Sequence, residues 1–264
     1  MKQLRTGILW SNVAAVVAIL FWQWCDQPAM YYIHELNLQL NDNVWIKGFQ
    51  QLGKAYVPIW LLLLWALLAR RPRVALTGLL VLALVAVVVS PLKATIHRHR
   101  PHTVLSLQEN PDKRVPYYNR CSMPSGDTTT VFALATAVLP YVARPMIPML
   151  FITAGLIASL RVLSLDHFLS DITIGALLGV WIGWLGRRLA DKILPTDLSA
   201  WEAPWLRYST AALICIMPML VGLYERFNPL MAFLKVYGPV LLIVLTALYL
   251  NRTFLRPALD NAKT

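Results

Sequence analysis

The chain has 264 residues, of which 58% are hydrophobic and only 14% charged, and its net charge is +11. Its mean hydropathy of +0.56, with about half the charge density of a typical soluble domain, excludes a water-soluble globular protein and predicts an integral membrane protein. The positive excess would suggest nucleic acid in a soluble chain, but here it falls mainly in loops between apolar runs, so it reads as membrane topology and no nucleic-acid partner is expected.

A helix crosses the hydrocarbon core in about 20 residues. Eight runs approach that length, at 8–24, 54–69, 74–92, 128–143, 146–163, 170–186, 208–224 and 236–251. The predicted fold class is therefore all-α, a polytopic membrane helix bundle. The first run has no small-residue cleavage site and is followed by Trp22, Gln23, Trp24 and Cys25, so it is expected to be a retained anchor. Pro140 interrupts the fourth run near its end and Pro218 interrupts the seventh, which membrane helices tolerate. Residues 35–52 and 196–207 read as interfacial segments. Trp22, Trp24, Tyr31 and Tyr32 read as interfacial anchors.

With eight crossings, Lys2, Arg5, Arg70, Arg71, Arg73, Arg144, Arg187, Arg188, Lys192, Arg252, Arg256 and Lys263 all fall on one side. The positive-inside rule makes that side cytoplasmic, with both termini inside, as in a bacterial inner membrane. The loop between the third and fourth runs lies on the other side and still carries Lys93, Arg98, Arg100, Lys113, Arg114 and Arg120. An anionic substrate would account for cations placed against the rule. Cys25, Cys121 and Cys215 have no metal-ligand spacing. Cys25 and Cys121 both map outward, where a disulfide is permitted, but two free thiols are the preferred reading.

Three polar clusters interrupt the apolar chain, all on the outward side. Lys93 and Arg100, seven apart at the end of the third run, would share a face if the helix continued. Both could then reach one phosphate, Arg through its planar fork and Lys as a point charge. Pro124, Ser125, Gly126 and Asp127 precede the fourth run. They read as a helix start, with Ser125 or Asp127 as cap and Gly126 allowing close approach of a ligand. Arg161 ends the fifth run, and His167 and Asp171 open the sixth, four apart on one helical face. There a carboxylate can orient an imidazole, the logic of a catalytic triad. Taken singly, each cluster is equally a set of snorkelling side chains, an ordinary cap or an interfacial histidine. Together they supply phosphate cations, an anion-binding turn and a nucleophile with its orienter, the parts needed for phosphoryl transfer.

At these residues the chain resembles the type 2 phosphatidic acid phosphatase (PAP2) superfamily, whose pattern is K-x6-R-P, then P-S-G-H, then S-R-x5-H-x3-D. Lys93, Arg100 and Pro101 match the first segment, Pro124, Ser125 and Gly126 the second, and Arg161, His167 and Asp171 the third. The resemblance implies a six-helix core over 1–190, with 191–264 adding an inner-interface segment and two further transmembrane helices. It implies a phosphatase in which His167 forms a phosphohistidine and Asp171 orients it. Lys93, Arg100, Arg161, Ser125 and Gly126 would hold the phosphate, with no metal and no cofactor. The implied partners are the bilayer and a lipid phosphate substrate.

Two positions depart from the pattern. Leu160 stands where the third segment has Ser, with Ser159 one place early, and Asp127 replaces the second-segment His, the family's usual general acid. An unperturbed carboxyl ionises near pH ~4 and is a poor proton donor at neutral pH. Asp127 could act through a burial-raised pKa, or His97, His99 or His102 could take its place, or the leaving group could need little help. The last option favours a lipid diphosphate, with undecaprenyl diphosphate as the best reading. The alternatives are phosphatidate, phosphatidylglycerophosphate or lipid A phosphatase activity, or lipid phosphotransfer. A transporter, or a lipid-binding protein without activity, ranks lower, since a transporter would place its charges near the midplane.

Overall fold

The computed structural model describes residues 12–13, 15–40 and 72–194, and every described segment is helix, turn or irregular chain. The predicted runs at 54–69, 208–224 and 236–251 lie outside these residues, as does Cys215. All described residues except Pro72 belong to one compact unit of the chain.

Residues 12–13 and 15–20 of the first run are helical, and the chain loosens into a π-helical turn at Phe21–Cys25. It then continues as α1, Asp26–Leu40. The expected interfacial segment at 35–52 thus begins inside this helix, and its part beyond Leu40 is outside the described residues. Helix α2 is Pro72–Ile96, α3 is Pro101–Glu109, α4 is Gly126–Ala137, α5 is Ile147–Leu163 and α6 is Leu169–Ile193. Among the described residues, Arg73–Glu109, Arg144–Leu163 and Leu169–Ile193 are long and apolar enough to cross a membrane. The first of these comprises α2 and α3 with the turn between them.

The predicted fourth span, 128–143, is shorter than expected. Helix α4 has 12 residues, or about 18 Å at 1.5 Å per residue. A short 3-10 turn, Leu139–Tyr141, comes after it. Pro140 is the cause, since proline disfavours the α conformation in the residue before it. Helix α4 compensates for its length by burial, with nine of its residues from Thr128 to Ala137 removed from the surface.

Its neighbour α6 is why α4 can sit so deep. Gly175, Gly179 and Gly183 recur every fourth residue along α6 and meet α4 backbone to backbone. A Cβ would lie 2.8 Å from the Ser125 carbonyl oxygen at Gly175, 2.6 Å from that of Thr129 at Gly179 and 2.3 Å from that of Ala133 at Gly183. Small residues at this spacing let membrane helices approach closely. The buried hydroxyls on α4 are satisfied within the helix: Thr129 donates to the Ser125 carbonyl at 2.8 Å and Thr136 to that of Phe132 at 2.9 Å. A second apolar cluster, Met30, Ile33, Leu105, Val162, Leu165 and Phe168, ties α1 and α3 to the α5–α6 turn.

Candidate active site

The three polar clusters meet where α2 and α5 end and α4 and α6 begin. Backbone hydrogen bonds stitch them together. The Ser122 N–H donates to the Arg98 carbonyl at 2.9 Å, the Arg100 N–H to that of Asn119 at 3.0 Å, the Ser125 N–H to that of Asp171 at 3.1 Å, and the His102 N–H to that of Leu165 at 3.1 Å. The convergence expected from topology is thus present in the fold.

Lys93 and Arg100 do not share a helical face. Helix α2 stops at Ile96, His97 turns left-handed with φ 50°, and Arg100 is the extended residue before α3. Histidine is among the side chains that tolerate this region, and its turn folds Arg100 back beside Lys93. The two charges still act on one another, and Asp127 acts on Lys93. The Lys93 Nζ lies 3.7 Å from where a Gly126 Cβ would stand, so the missing side chain leaves space in front of the ammonium.

Ser125 caps α4 as expected, accepting from the Thr128 N–H at 3.4 Å and from its hydroxyl at 3.0 Å. Gly126 opens the helix, which puts a helix N-terminus, a position that favours anions, beside the cluster.

His167 lies outside helix α6, which has Phe168 as its cap. The expectation that His167 and Asp171 pair across one helical face is corrected accordingly. Asp171 sits in the first turn and folds back, its Oδ2 accepting the Phe168 N–H at 2.8 Å and lying 3.7 Å from His167 Nδ1. The turn is enforced by Leu165, whose φ of 56° is unusual for a branched side chain and costs on the order of 1–3 kcal/mol. Its burial in the apolar cluster offsets that strain.

His167 is 2% exposed. Burial pushes its pKa below the ordinary histidine value. The Asp171 hydrogen bond and charge oppose this, while Arg100 and Lys93 reinforce it. With Nδ1 turned to Asp171 and to the Ser122 hydroxyl at 3.5 Å, the proton belongs on Nδ1 and the lone pair on Nε2. A pKa below the ordinary histidine value favours the neutral ring at neutral pH, and if His167 is the attacking group the acid limb of the kcat/KM profile lies below about 6.5. Stability has the same sign: it is intact above the unfolded pKa and lost as pH falls, because the unfolded chain takes up the proton first. An acid limb centred above pH ~6.5 would contradict the neutral buried ring.

Arg161 is 5% exposed and faces two carboxylates. Its Nε stands 3.1 Å from Asp127 Oδ2 without the alignment of a hydrogen bond, a charge contact rather than a directed one. Its Nη2 donates to Asp166 Oδ2, which also accepts the Ser164 hydroxyl at 2.8 Å. Asp166 Oδ1 meets Arg100 Nη1 at 3.3 Å. Burial alone would raise the Asp166 pKa. Arg161, the Ser164 hydroxyl, Arg100 and His167 together hold it below the usual carboxylate range. Asp166 therefore bridges the two arginines expected to bind phosphate.

Ser159, the nearest serine to the departed Leu160 position, is exposed and donates to the Gly155 carbonyl at 2.9 Å, so it does not enter the site. His102 Nδ1 contacts the Leu165 carbonyl at 3.0 Å, and His97 packs edge-on against Tyr117. Cys25 and Cys121 are free thiols.

The sequence-derived set omits several side chains that the fold brings in. Asp26 is 1% exposed and Ser122 donates its hydroxyl to Asp171 Oδ2. Arg98 counts in the sequence only among the loop cations, yet it reaches Asp171, Ser170 and Asp26. A signal existed for Asp26, a lone acid just past an apolar run, where a charge is costly.

The protein-family model described as PAP2 superfamily matches residues 74–194. Among solved structures, the chain is similar to the crystal structure of Aquifex aeolicus LpxE, at 27% sequence identity and a TM-score of 0.49, over 62% of this chain and 94% of that one. No curated protein matches the chain.

Proposed function

We propose that this chain, whose residues 74–194 match the PAP2 superfamily model, is an integral membrane lipid phosphatase acting through a phosphohistidine on His167. The observation that carries this reading is the geometry of His167: a buried imidazole whose Nδ1 faces Asp171 at 3.7 Å, with the charges of Lys93 and Arg100 acting on it and its N–H bonded to the Arg161 carbonyl. In the proposed reaction the Nε2 lone pair attacks phosphorus, and the bond from phosphorus to the leaving oxygen breaks with its electron pair on that oxygen. Water then attacks the phosphohistidine, the P–N bond breaks, and inorganic phosphate leaves. Lys93, Arg100, Arg161, the Ser125 hydroxyl and the Gly126 N–H neutralise and orient the transferring group.

The nature of the leaving group is read from Asp127. Asp127 stands where the family pattern has its histidine acid, and its Oδ2 is 3.1 Å from Arg161 Nε; in this reading the leaving oxygen therefore departs as an anion. A phosphate monoester leaving from a diphosphate does this far more readily than a lipid alkoxide. The preferred substrate in this reading is a polyprenyl diphosphate such as undecaprenyl diphosphate, cleaved on the outer face of a bacterial inner membrane. Phosphate release from the purified full-length protein in detergent should be faster from the diphosphate than from phosphatidate, phosphatidylglycerophosphate or lipid A, by about 10²-fold, the low end of what acid catalysis supplies. Asp127→His should narrow that gap by raising the monoester rates. A preference for phosphatidate in the unaltered protein would overturn the substrate assignment while leaving the phosphatase reading intact.

A further inference from the structure

The carboxylate that faces His167 is itself held by Arg98, which is held in turn by Asp26 at the start of α1. Asp171 is fully buried. Its Oδ2 serves Phe168, Ser122 and His167, while its Oδ1 accepts from Arg98 Nη1 at 2.7 Å. The same Nη1 lies 2.6 Å from the Ser170 hydroxyl, and the other arm, Nη2, donates to Asp26 Oδ2 at 2.7 Å. Asp26 fixes the neighbouring turn as well, accepting the Ser170 N–H on Oδ1 at 3.0 Å and the Ser170 hydroxyl on Oδ2. The guanidinium plane is clamped between two rings, 4.5 Å from the Trp22 centroid and 4.0 Å from that of Phe168. Trp22 belongs to the π-helical turn Phe21–Cys25, and Asp26 is the next residue. A π-turn inserts an extra residue and rotates the chain beyond it, and here the residue just beyond is an acid that faces inward.

We propose that Arg98 and Asp26 are positioning residues for the reaction: Arg98, fixed by Asp26 and the Trp22 and Phe168 rings, locks Asp171 in the rotamer that holds His167 in its Nδ1–H tautomer. Neither side chain needs to touch the substrate. Arginine is required because one planar fork must reach two carboxylates on different helices, which a lysine ammonium cannot do. The inference rests on the phosphohistidine reading for its kinetic consequence, but the tautomer it controls can be observed without turnover.

The test uses full-length protein in detergent, with kcat and KM measured on the lipid phosphate it cleaves fastest. His167 is monitored in parallel by nitrogen NMR of ¹⁵N-histidine protein, its signal identified by its loss in His167→Ala. Arg98→Gln should lower kcat by about 10²-fold, the usual effect of a small misplacement, with KM near that of the unaltered protein, and should convert His167 to a tautomer mixture. Arg98→Lys should not rescue either readout. Asp26→Asn, which keeps an acceptor for the Ser170 N–H, should lower kcat about tenfold, and the Asp26→Asn/Arg98→Gln double variant should be no slower than Arg98→Gln alone. If Arg98→Gln keeps the tautomer and loses kcat only as it loses thermal stability, its role is structural and the proposal fails. If Arg98→Gln does not fold, Asp26→Asn decides, and an unchanged kcat and tautomer in that variant overturns the proposal. If the unaltered protein releases phosphate from no lipid, the phosphatase reading fails, and the tautomer in Arg98→Gln alone decides whether the positioning assignment stands.

Discussion

His167→Ala is expected to lose phosphate release from every lipid substrate, with kcat falling by on the order of 10⁴–10⁶-fold. The size of the effect reflects the role the side chain would have. In a covalent mechanism the nucleophile cannot be replaced by better binding elsewhere. The remaining cations would still bind phosphate, so KM or product inhibition should change little. A chemical readout separates a lost nucleophile from a lost fold. Protein quenched during turnover of a substrate labelled in its terminal phosphate should carry label that acid releases and base does not, as a phosphoramidate does. His167→Ala should carry none while keeping its thermal unfolding temperature within a few degrees. Retained turnover in His167→Ala would reject His167 as the nucleophile.

Asp171→Asn should cost nearly as much, about 10⁴-fold in kcat, the loss seen when a triad carboxylate becomes an amide. Three donors bond the carboxylate, Arg98 on Oδ1 and Phe168 and Ser122 on Oδ2, and His167 Nδ1 faces Oδ2 at 3.7 Å. An amide offers one acceptor and one donor, so in either orientation its NH2 faces groups that themselves donate. Turned toward Arg98, it leaves a buried guanidinium arm uncompensated, and breaking one side of a buried ion pair costs about 3–5 kcal/mol. Turned toward His167, it drives the proton off Nδ1 and onto Nε2, the atom that must attack. Kinetics with the same labelled substrate check this: the covalent species should form about 10⁴-fold more slowly, with no change in how fast it hydrolyses once formed unless the imidazole also moves. Activity within tenfold of the unaltered protein would show that Asp171 does not govern the tautomer.

Much of the site is legible in the chain because its parts lie at the ends of apolar runs, and run length sets where a helix must stop. Ser125, Gly126, Arg161 and Asp171 are all found where such reasoning puts them. The differences concern local backbone. Nothing in the order of Lys93 to Arg100 announces that His97 adopts a left-handed conformation, so the spacing alone suggests a continuous helix. Similarly, His167 and Asp171 have helical spacing, yet the strained Leu165 turn starts the helix two residues later than the pair requires. Asp26 and Arg98 are invisible to any reading of spacing. They are 72 residues apart, and their contact depends on how α1 packs against the α5–α6 turn. The two charges of Asp127 and Asp166 are each visible in the chain, but their shared attachment to Arg161 is not. In the proposed reaction an incoming phosphate would therefore compete with carboxylates already in place.

The π-helical turn at Phe21–Cys25 bears on where the smallest working piece of this protein begins. The family match starts at residue 74, and a segment cut there would contain every residue of the three motifs. It would also lack Trp22 and Asp26, leaving the Nη2 arm of Arg98 and the Ser170 N–H without the carboxylate that both address. If Arg98 and Asp26 position Asp171 as proposed, the recognisable module and the working module differ: the first is written in the motifs, and the second includes one turn of an amino-terminal helix marked in sequence only by two tryptophans ahead of an acid.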